Sequence, residues 1–414
     1  MYVIVITDRL RRAIRLRLNF VMLLATLLAV HNVRAANETW VGNTSANWNT
    51  AANWSPTSVP VANDLLVFDV AGSAGASLTN NLTAGTVFQG ITFNTTASAF
   101  TFDGNDIGVN GGITNGSTSG QIINNNLVLS GNSIITNIGP GAVTLNGVIS
   151  GGFSLTENST AGQTGFVPAS PLYLNGANTF TGNVVVSGGA LWITNASALG
   201  SGIKTNVIAG GGRPELHLNG VSGNIVIPTN ISFATSSGAG STTGIGVGAL
   251  VNDAGDNRID GIINLVGGGG DTRVVVSAGT LTLAGKISPS NPIRNLVLRG
   301  AFNGTVSGEI ADGSTVNALA SVDKRDTGTW TLTGTNTHTG STTVNGGTLK
   351  LGHSSALGFG GLQTTNTAST TVGSGFQVDL NGMTSVNERI VIAGGGSEAM
   401  VAMAMGRSGR MPLS

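Results

Sequence analysis

One stretch of this chain repeats itself without a gap, and its internal spacing leaves few folds open. Leu172 to Gly200 and Trp330 to Gly358 align over 29 positions at a constant offset of 158, with 14 identities. Among them are Leu174/Leu332, Gly176/Gly334, Asn178/Asn336, Thr179/Thr337, Gly182/Gly340, Val186/Val344, Gly189/Gly347 and the Ser-Ala-Leu-Gly ending. Apolar residues recur at i, i+2: Leu172 and Leu174, Val184 and Val186, Leu191 and Ile193. The second copy has Trp330 and Leu332, Thr342 and Val344, Leu349 and Leu351. Period-two alternation predicts strands with one buried face. Between them stand Asn-Gly-Ala-Asn and Ser-Gly-Gly, or Thr-Gly-Thr-Asn and Asn-Gly-Gly, which supply positive φ at corners. Three short strands joined by tight corners cannot bury their own apolar face. They need the same unit stacked above and below.

The flanks repeat too. Leu216-His-Leu-Asn-Gly220 follows the first copy, and Val378-Asp-Leu-Asn-Gly382 follows the second at nearly the same distance. Weaker strand patterns occur at Leu127–Gly131, Val143–Gly147, Gly279–Leu283 and Leu296–Gly300. With a rung of roughly 20–30 residues, the span from 86 to 396 predicts on the order of 10–15 rungs. The expected fold is all-β: a parallel β-helix, or solenoid. A β-sandwich array is the alternative, because it too shows short alternating strands. Its corners would be longer and its core richer in aromatics. A propeller ranks third, since the spacing between the strong copies is too long for one blade.

Composition agrees. Gly is 64 of 414 residues and charged residues are 9%, against a usual share of about a quarter. The chain is too apolar for ordinary disorder. Its 19 basic and 19 acidic residues cancel, which argues against a nucleic-acid partner, since that needs a basic face. With no cysteine there is no disulfide, thiolate metal site or cysteine nucleophile.

The N-terminus reads as a secretory leader. Arg9, Arg11, Arg12, Arg15 and Arg17 form a basic segment, and Phe20–Val30 forms an uninterrupted, largely apolar run. Small residues at Val33 and Ala35 place cleavage after Ala35, with Ala36 next in line. The apolar run is too short to span a bilayer, which takes roughly 20 residues. The mature chain is expected outside the cytoplasm, with no transmembrane segment.

The stretch Leu-Thr-Gly-Thr-Asn-Thr-His-Thr-Gly-Ser-Thr-Thr-Val-Asn-Gly-Gly-Thr-Leu-Lys-Leu-Gly (332–352) resembles the autotransporter-associated β-strand repeat, also called the passenger-associated transport repeat. That family usually carries Tyr where this chain has His338 and Phe180. The start, with Trp40, Trp48 and Trp54, resembles the opening of large exported proteins that carry the repeat. The resemblance implies a right-handed parallel β-helix, use of export machinery, and secretion or display at a bacterial cell surface. It carries over no catalytic residue and no cofactor. Two features depart from the pattern. No run of amphipathic strands of about 10 residues, as in a membrane barrel, closes the sequence. After Gly396, Met400, Met403, Met405 and Met411 cluster with Arg407 and Arg410, as expected of a truncated or frame-shifted end. The expected organisation is a signal peptide at 1–35, a Trp-rich cap at 36–85, the repeat region at 86–396 and an atypical tail at 397–414. The strong repeats sit at 172–200 and 330–358.

Candidate chemistry is sparse, and no catalytic, cofactor or metal residue is assigned. Asp253, Asp256 and Asp260 lie with Arg258, and Asp271 and Arg273 follow. Polysaccharide lyases built on β-helices use carboxylates for Ca²⁺ and a basic residue for proton abstraction. Here the spacing fits no calcium loop, so the run reads as a solvated turn between rungs. Asp103-Gly-Asn-Asp106 reads as another polar turn. His31 lies in the leader; His217, His338 and His353 are scattered, and none pairs with a carboxylate at metal-site spacing. His338 occupies the repeat's aromatic position, which predicts packing. Gly267–Gly270 lacks the Gly-Lys-Ser/Thr of a phosphate cradle. Corner Asn and Thr residues predict side-chain ladders running up the stack. Trp40, Trp48 and Trp54 predict a cap over the solenoid's N-terminal end. The expected function is non-catalytic surface display or adhesion, with host or matrix glycans or other cell-surface molecules as partners. The alternatives are a carbohydrate-active β-helix enzyme and a glycan binder using the three tryptophans.

Overall fold

A computed structural model of the chain describes residues 35–159, 171–236, 248–267, 271–290, 292–315, 318–359, 370–386 and 390–392. Residues 1–34 of the expected leader and the tail at 397–414 lie outside them. The described residues form short strands and two single 3-10 turns, with no α-helix. They coil into a parallel β-helix of about 12 turns. The pairings between turns are parallel; the one antiparallel pair among the described residues joins Asn37–Trp40 to Trp54–Ser55 at the N-terminal end. A β-sandwich array would need antiparallel ladders.

Most turns lay down three strands in order, and in the others one side is chain outside any strand, so the stack has three faces. On the first face Leu65–Phe68, Gly90–Phe93, Gly112–Asn115, Ser133–Asn137 and Leu155–Asn158 lie in succession. The second runs through Thr101–Gly104, Gln121–Ile123, Val143–Leu145 and Leu172–Leu174, and on to Leu250–Ala254, Asp271–Val276, Arg294–Gly300 and Ala320–Lys324. The third holds Thr86–Phe88, Ile107–Val109, Leu127–Leu129 and Ile149–Gly151, and later Asp256–Ile259, Thr280–Leu283, Asn303–Val306 and Thr329–Leu332. Leu127 stacks on Ile149, and Val274 on Leu298. The turn from Leu216 to Leu250 is longer than these.

The interior is a column of inward Leu, Ile and Val, and alternate residues face out. At the N-terminal end the column turns aromatic. Trp40, Trp48 and Trp54 are at most 1% exposed and pack on Phe68 and Phe102. The Trp54 indole donates to the Trp48 carbonyl at 2.7 Å. These rings fill the bottom of the stack, so none offers a face to a sugar, and the tryptophan-based glycan reading fails.

The repeat's invariant residues have matching tasks in its two copies. Asn178 Oδ1 accepts from the Ile149 amide at 2.7 Å, and its Nδ2 donates to the Ala198 carbonyl at 2.7 Å. Asn336 repeats both bonds, with the Ile310 amide at 2.8 Å and the Ala356 carbonyl at 2.5 Å. Each asparagine thus ties the turn before it to the turn after it. Gly200 and Gly358 have φ of +81° and +78°. A Cβ there would lie 2.3 Å from the Phe180 carbonyl oxygen or 2.4 Å from that of His338. Only glycine allows the Ser201 and Phe359 amides to donate to those carbonyls, both at 2.9 Å.

The expected ladders are present on the outside. Asn124 donates to Asp103, Asn146 to Asn124, and Asn175 to Asn146, at 2.8–2.9 Å. Thr194 extends the row by donating to Asn175 at 3.0 Å.

Asn336→Ala strands a buried amide and a buried carbonyl, each worth about 1–3 kcal/mol. Denaturant unfolding should show a loss of about 2–4 kcal/mol, with a similar loss in Asn178→Ala. The exposed Asn124→Ala should change stability by less than about 1 kcal/mol.

Candidate functional site

A compact group of chemically capable side chains lies on the outside of the second face. Tyr173, Trp192, His217 and Val251 are successive residues of one outer row, in register across four turns. The Tyr173 and Trp192 ring centroids are 5.5 Å apart, and the indole stacks on His217 at 3.9 Å with the planes 18° apart. Strand alternation places Glu215 beside His217 on the same side. The next turn brings Asp253 alongside. His217 Nε2 is 2.9 Å from Glu215 Oε2, and its Nδ1 is 2.7 Å from Asp253 Oδ2. The same Asp253 oxygen accepts from the Trp192 indole at 2.9 Å. His217 is only 3% exposed although it points outward.

Both ring nitrogens therefore face carboxylate oxygens, which only accept when ionised. Burial alone would lower the His217 pKa. The hydrogen bonds and charges of Asp253 and Glu215 outweigh it and raise the pKa above 6.5. Burial and the Asp253 charge together raise the Tyr173 phenol. The arrangement favours the protonated form of a buried ring set between two carboxylates.

The acidic run seen in the sequence divides between faces. Leu250–Ala254 and Asp256–Ile259 are strands of neighbouring faces meeting at Gly255, whose φ is +82°. This corrects the expected solvated turn: one glycine makes the corner, and both sides pair with their neighbours. Asp253 joins His217. Asp256 accepts from Thr280 at 2.9 Å, and Arg258 pairs with Asp260 at 2.5 Å on the third face. Asp271 and Arg273 pair at 3.7 Å on the second face. Asp103 is the foot of the asparagine ladder, and Asp106 accepts from Asn126 at 3.0 Å. His353 Nδ1 accepts from the Ser355 amide within its own corner, at 3.0 Å. His31 and Gly268–Gly270 lie outside the described residues. Among the described residues no group of three or more His, Asp or Glu is arranged to hold a metal ion, and no helix is long and apolar enough to cross a membrane.

Spacing along the chain could not expose the His217 group. Glu215-Leu-His217 is visible as i, i+2 on one strand. Asp253 is far along the chain, and its approach depends on the long turn between them.

Residues 172–193 and 322–351 match the family model of the passenger-associated-transport-repeat. The chain carries the passenger-associated transport repeat at these two segments. Repeat and solenoid together fit the passenger domain of an autotransporter. No curated protein and no solved structure matches the chain.

The two copies of the transport repeat do not stand one above the other. Leu172 leads up the second face through Leu191, Leu216, Leu250, Val274 and Leu298 to Lys324 in six steps. Its sequence counterpart Trp330 lies on the third face. The second copy is thus rotated by one face, yet Asn336, Gly347 and Gly358 keep the roles of Asn178, Gly189 and Gly200. The repeat encodes strands and corners, independent of which side of the triangle they form.

Lys324, Glu157 and His338 are titratable groups buried inside the stack. Lys324 donates to the carbonyls of Arg325, Asp326 and Gly346 at 2.6–3.0 Å, and burial lowers its pKa to about 8. Glu157 points inward, 1% exposed, bonded to Ser159 through one oxygen while Oε2 has no partner among the described residues. Burial pushes its pKa well above 4.5. His338 fills the position of Phe180, fully buried, with Nδ1 unpartnered among the described residues. Burial lowers its pKa to about 4. Packing is thus its role, as its place in the repeat predicted.

His338→Phe restores an aromatic of the repeat and removes the unpartnered nitrogen. It should stabilise the chain by about 1–2 kcal/mol at pH 7. Protonation of His338 in the unfolded chain should cost the parent roughly 3 kcal/mol between pH 6.5 and pH 4. The variant should lack that share of the acid loss in thermal unfolding. Glu157 works in the opposite sense. Its raised pKa makes its contribution complete at low pH and lost as pH rises. Glu157→Gln should therefore raise the melting temperature at pH 8 and leave it nearly unchanged at pH 4.

Proposed function

We propose that this chain is the stem of an exported passenger, displayed at or released from the cell surface, where it serves adhesion or display and not catalysis. The observation that carries this reading is a continuous parallel stack bearing the transport repeat at two heights. Such a stack is rod-like, because each turn touches only its neighbours. A rod sets a binding surface at a distance from its anchor. Residues 1–35 act as the leader and residues 36–85 close the lower end. Export machinery is then the first partner, and glycans of a host or matrix are the last.

The composition suits that route. A chain with 9% charged residues and no cysteine can cross membranes unfolded and needs no oxidant to fold outside. The carboxylates at Asp253, Asp256 and Asp260 serve intra-stack contacts, which supports the non-catalytic reading.

The test is labelling of intact cells with an antibody against residues 172–200. Signal before permeabilisation, removed by added protease, is the expected result. Signal only after permeabilisation would overturn export. Cleavage of an acidic polysaccharide by the purified chain, lost in Asp256→Ala, would overturn the non-catalytic part alone.

A further inference from the structure

We propose that Trp192, His217, Glu215 and Asp253 form a pH-responsive clasp between successive turns, closed while His217 carries both ring protons and loosened when it gives one up. Two carboxylate oxygens lie 2.7 and 2.9 Å from the two ring nitrogens of one imidazole. An imidazolium donates to both. A neutral imidazole has a single N–H, so one nitrogen lone pair must then face a carboxylate at hydrogen-bond distance. That contact is repulsive in either tautomer. The ring is buried, so water does little to screen it.

The clasp joins different parts of the stack. Glu215 and His217 belong to one turn, Asp253 to the next and Trp192 to the one before. Asp253 accepts from both His217 and Trp192, so three consecutive turns meet at one carboxylate oxygen. The charged groups that act on His217 are Glu215 on the same strand and Asp253 on the next turn, and Tyr173 stands beyond Trp192. Tyr173 remains neutral across the range concerned, because its phenol is raised.

The direction follows from the bonds. The folded-state pKa of His217 lies above its unfolded value of about 6.5. Its contribution is therefore complete below pH 6.5 and lost as pH climbs through the folded value. A chain leaving an acidic compartment or micro-environment would loosen at this height of the rod.

The reporter is built in. Trp192 stacks on the imidazolium, while Trp40, Trp48, Trp54 and Trp330 are at most 1% exposed. A stacked imidazolium quenches indole emission, and its deprotonation relieves the quenching. The experiment follows tryptophan emission and melting temperature of the full chain from pH 5 to pH 10. The expected result is one rise in emission and one fall in melting temperature, sharing a midpoint above pH 6.5. Both steps should be absent from His217→Gln. Trp192→Phe should lose the emission step and keep the melting step. A His217 ring proton resonance that titrates with the same midpoint assigns the group directly, should His217→Gln fail to fold. Equal steps in the parent and His217→Gln, or a ring resonance titrating at or below pH 6.5, would overturn the proposal. Surface labelling of cells is insensitive to these variants, so the two readings fail separately.

Discussion

The close approach of backbone to backbone at the corners governs the rest of this structure. Parallel strands of adjacent turns pair at about 4.8 Å, and the corners must follow at the same spacing. A Cβ on Gly176, Gly182, Gly334 or Gly340 would lie 2.1–2.3 Å from a carbonyl oxygen of another turn. No side chain fits there. The glycine content follows from this contact, and so does the asparagine content. A corner turns backbone groups away from the ladder. Asn178, Asn336, Asn115 and Asn80 reach across to satisfy them, with both an acceptor and two donors on a short stem. Longer amides would overshoot, and charged groups would bring a desolvation cost to a site already wrapped by chain.

Because these demands are local, a sequence unit that meets them can start on any face. The two transport repeats differ by six turns and one face, yet the same residues do the same work. That explains why most of the identities fall on Gly, Asn and the inward Leu and Val, with a few, such as Thr179/Thr337, on outward corner residues. Outward residues such as Tyr173, Trp192 and Lys350 differ freely. Fold is written on the corners and the inward row. Whatever is particular to this protein is written on the outward rows, where the His217 group lies.

The fold was therefore legible in the sequence and the candidate site was not. Alternation of Leu172 and Leu174, or Leu349 and Leu351, is a property of neighbours along the chain, and so are the glycine corners. Asp253 meets His217 only because the turn from Leu216 to Leu250 has the length it has. Turn length varies along the stack, so the partner of an outward side chain cannot be counted off. The same limit made Asp253, Asp256 and Asp260 look like one cluster, when Gly255 sends them to different faces. The tryptophans show the reverse case. Their clustering near residue 40 was plain, and a cap was its natural meaning, since among the described residues the first turn has no neighbour below to cover its apolar end. Trp48 meets Phe68, Phe88 and Phe102 there, and these rings do for the end what stacked Leu and Ile do elsewhere.

A stack of this kind has nearly one-dimensional energetics: each turn is held by the turns on either side. Weakening one junction does not spread evenly. It divides the rod into two parts that remain folded, joined by a softer turn. The His217 junction lies about midway along the described turns, beside a long one. Above and below it the inward aliphatic column is continuous, from Leu172 through Leu191, Leu216 and Leu250 to Val274. A change of one proton at such a place alters the bending of a rod without unfolding it. An interior acid such as Glu157 cannot act in that way, because it is enclosed by the column itself and its ionisation opposes the packing of whole turns. Position on the outside, with bonds that run between turns, is what distinguishes a joint from a flaw.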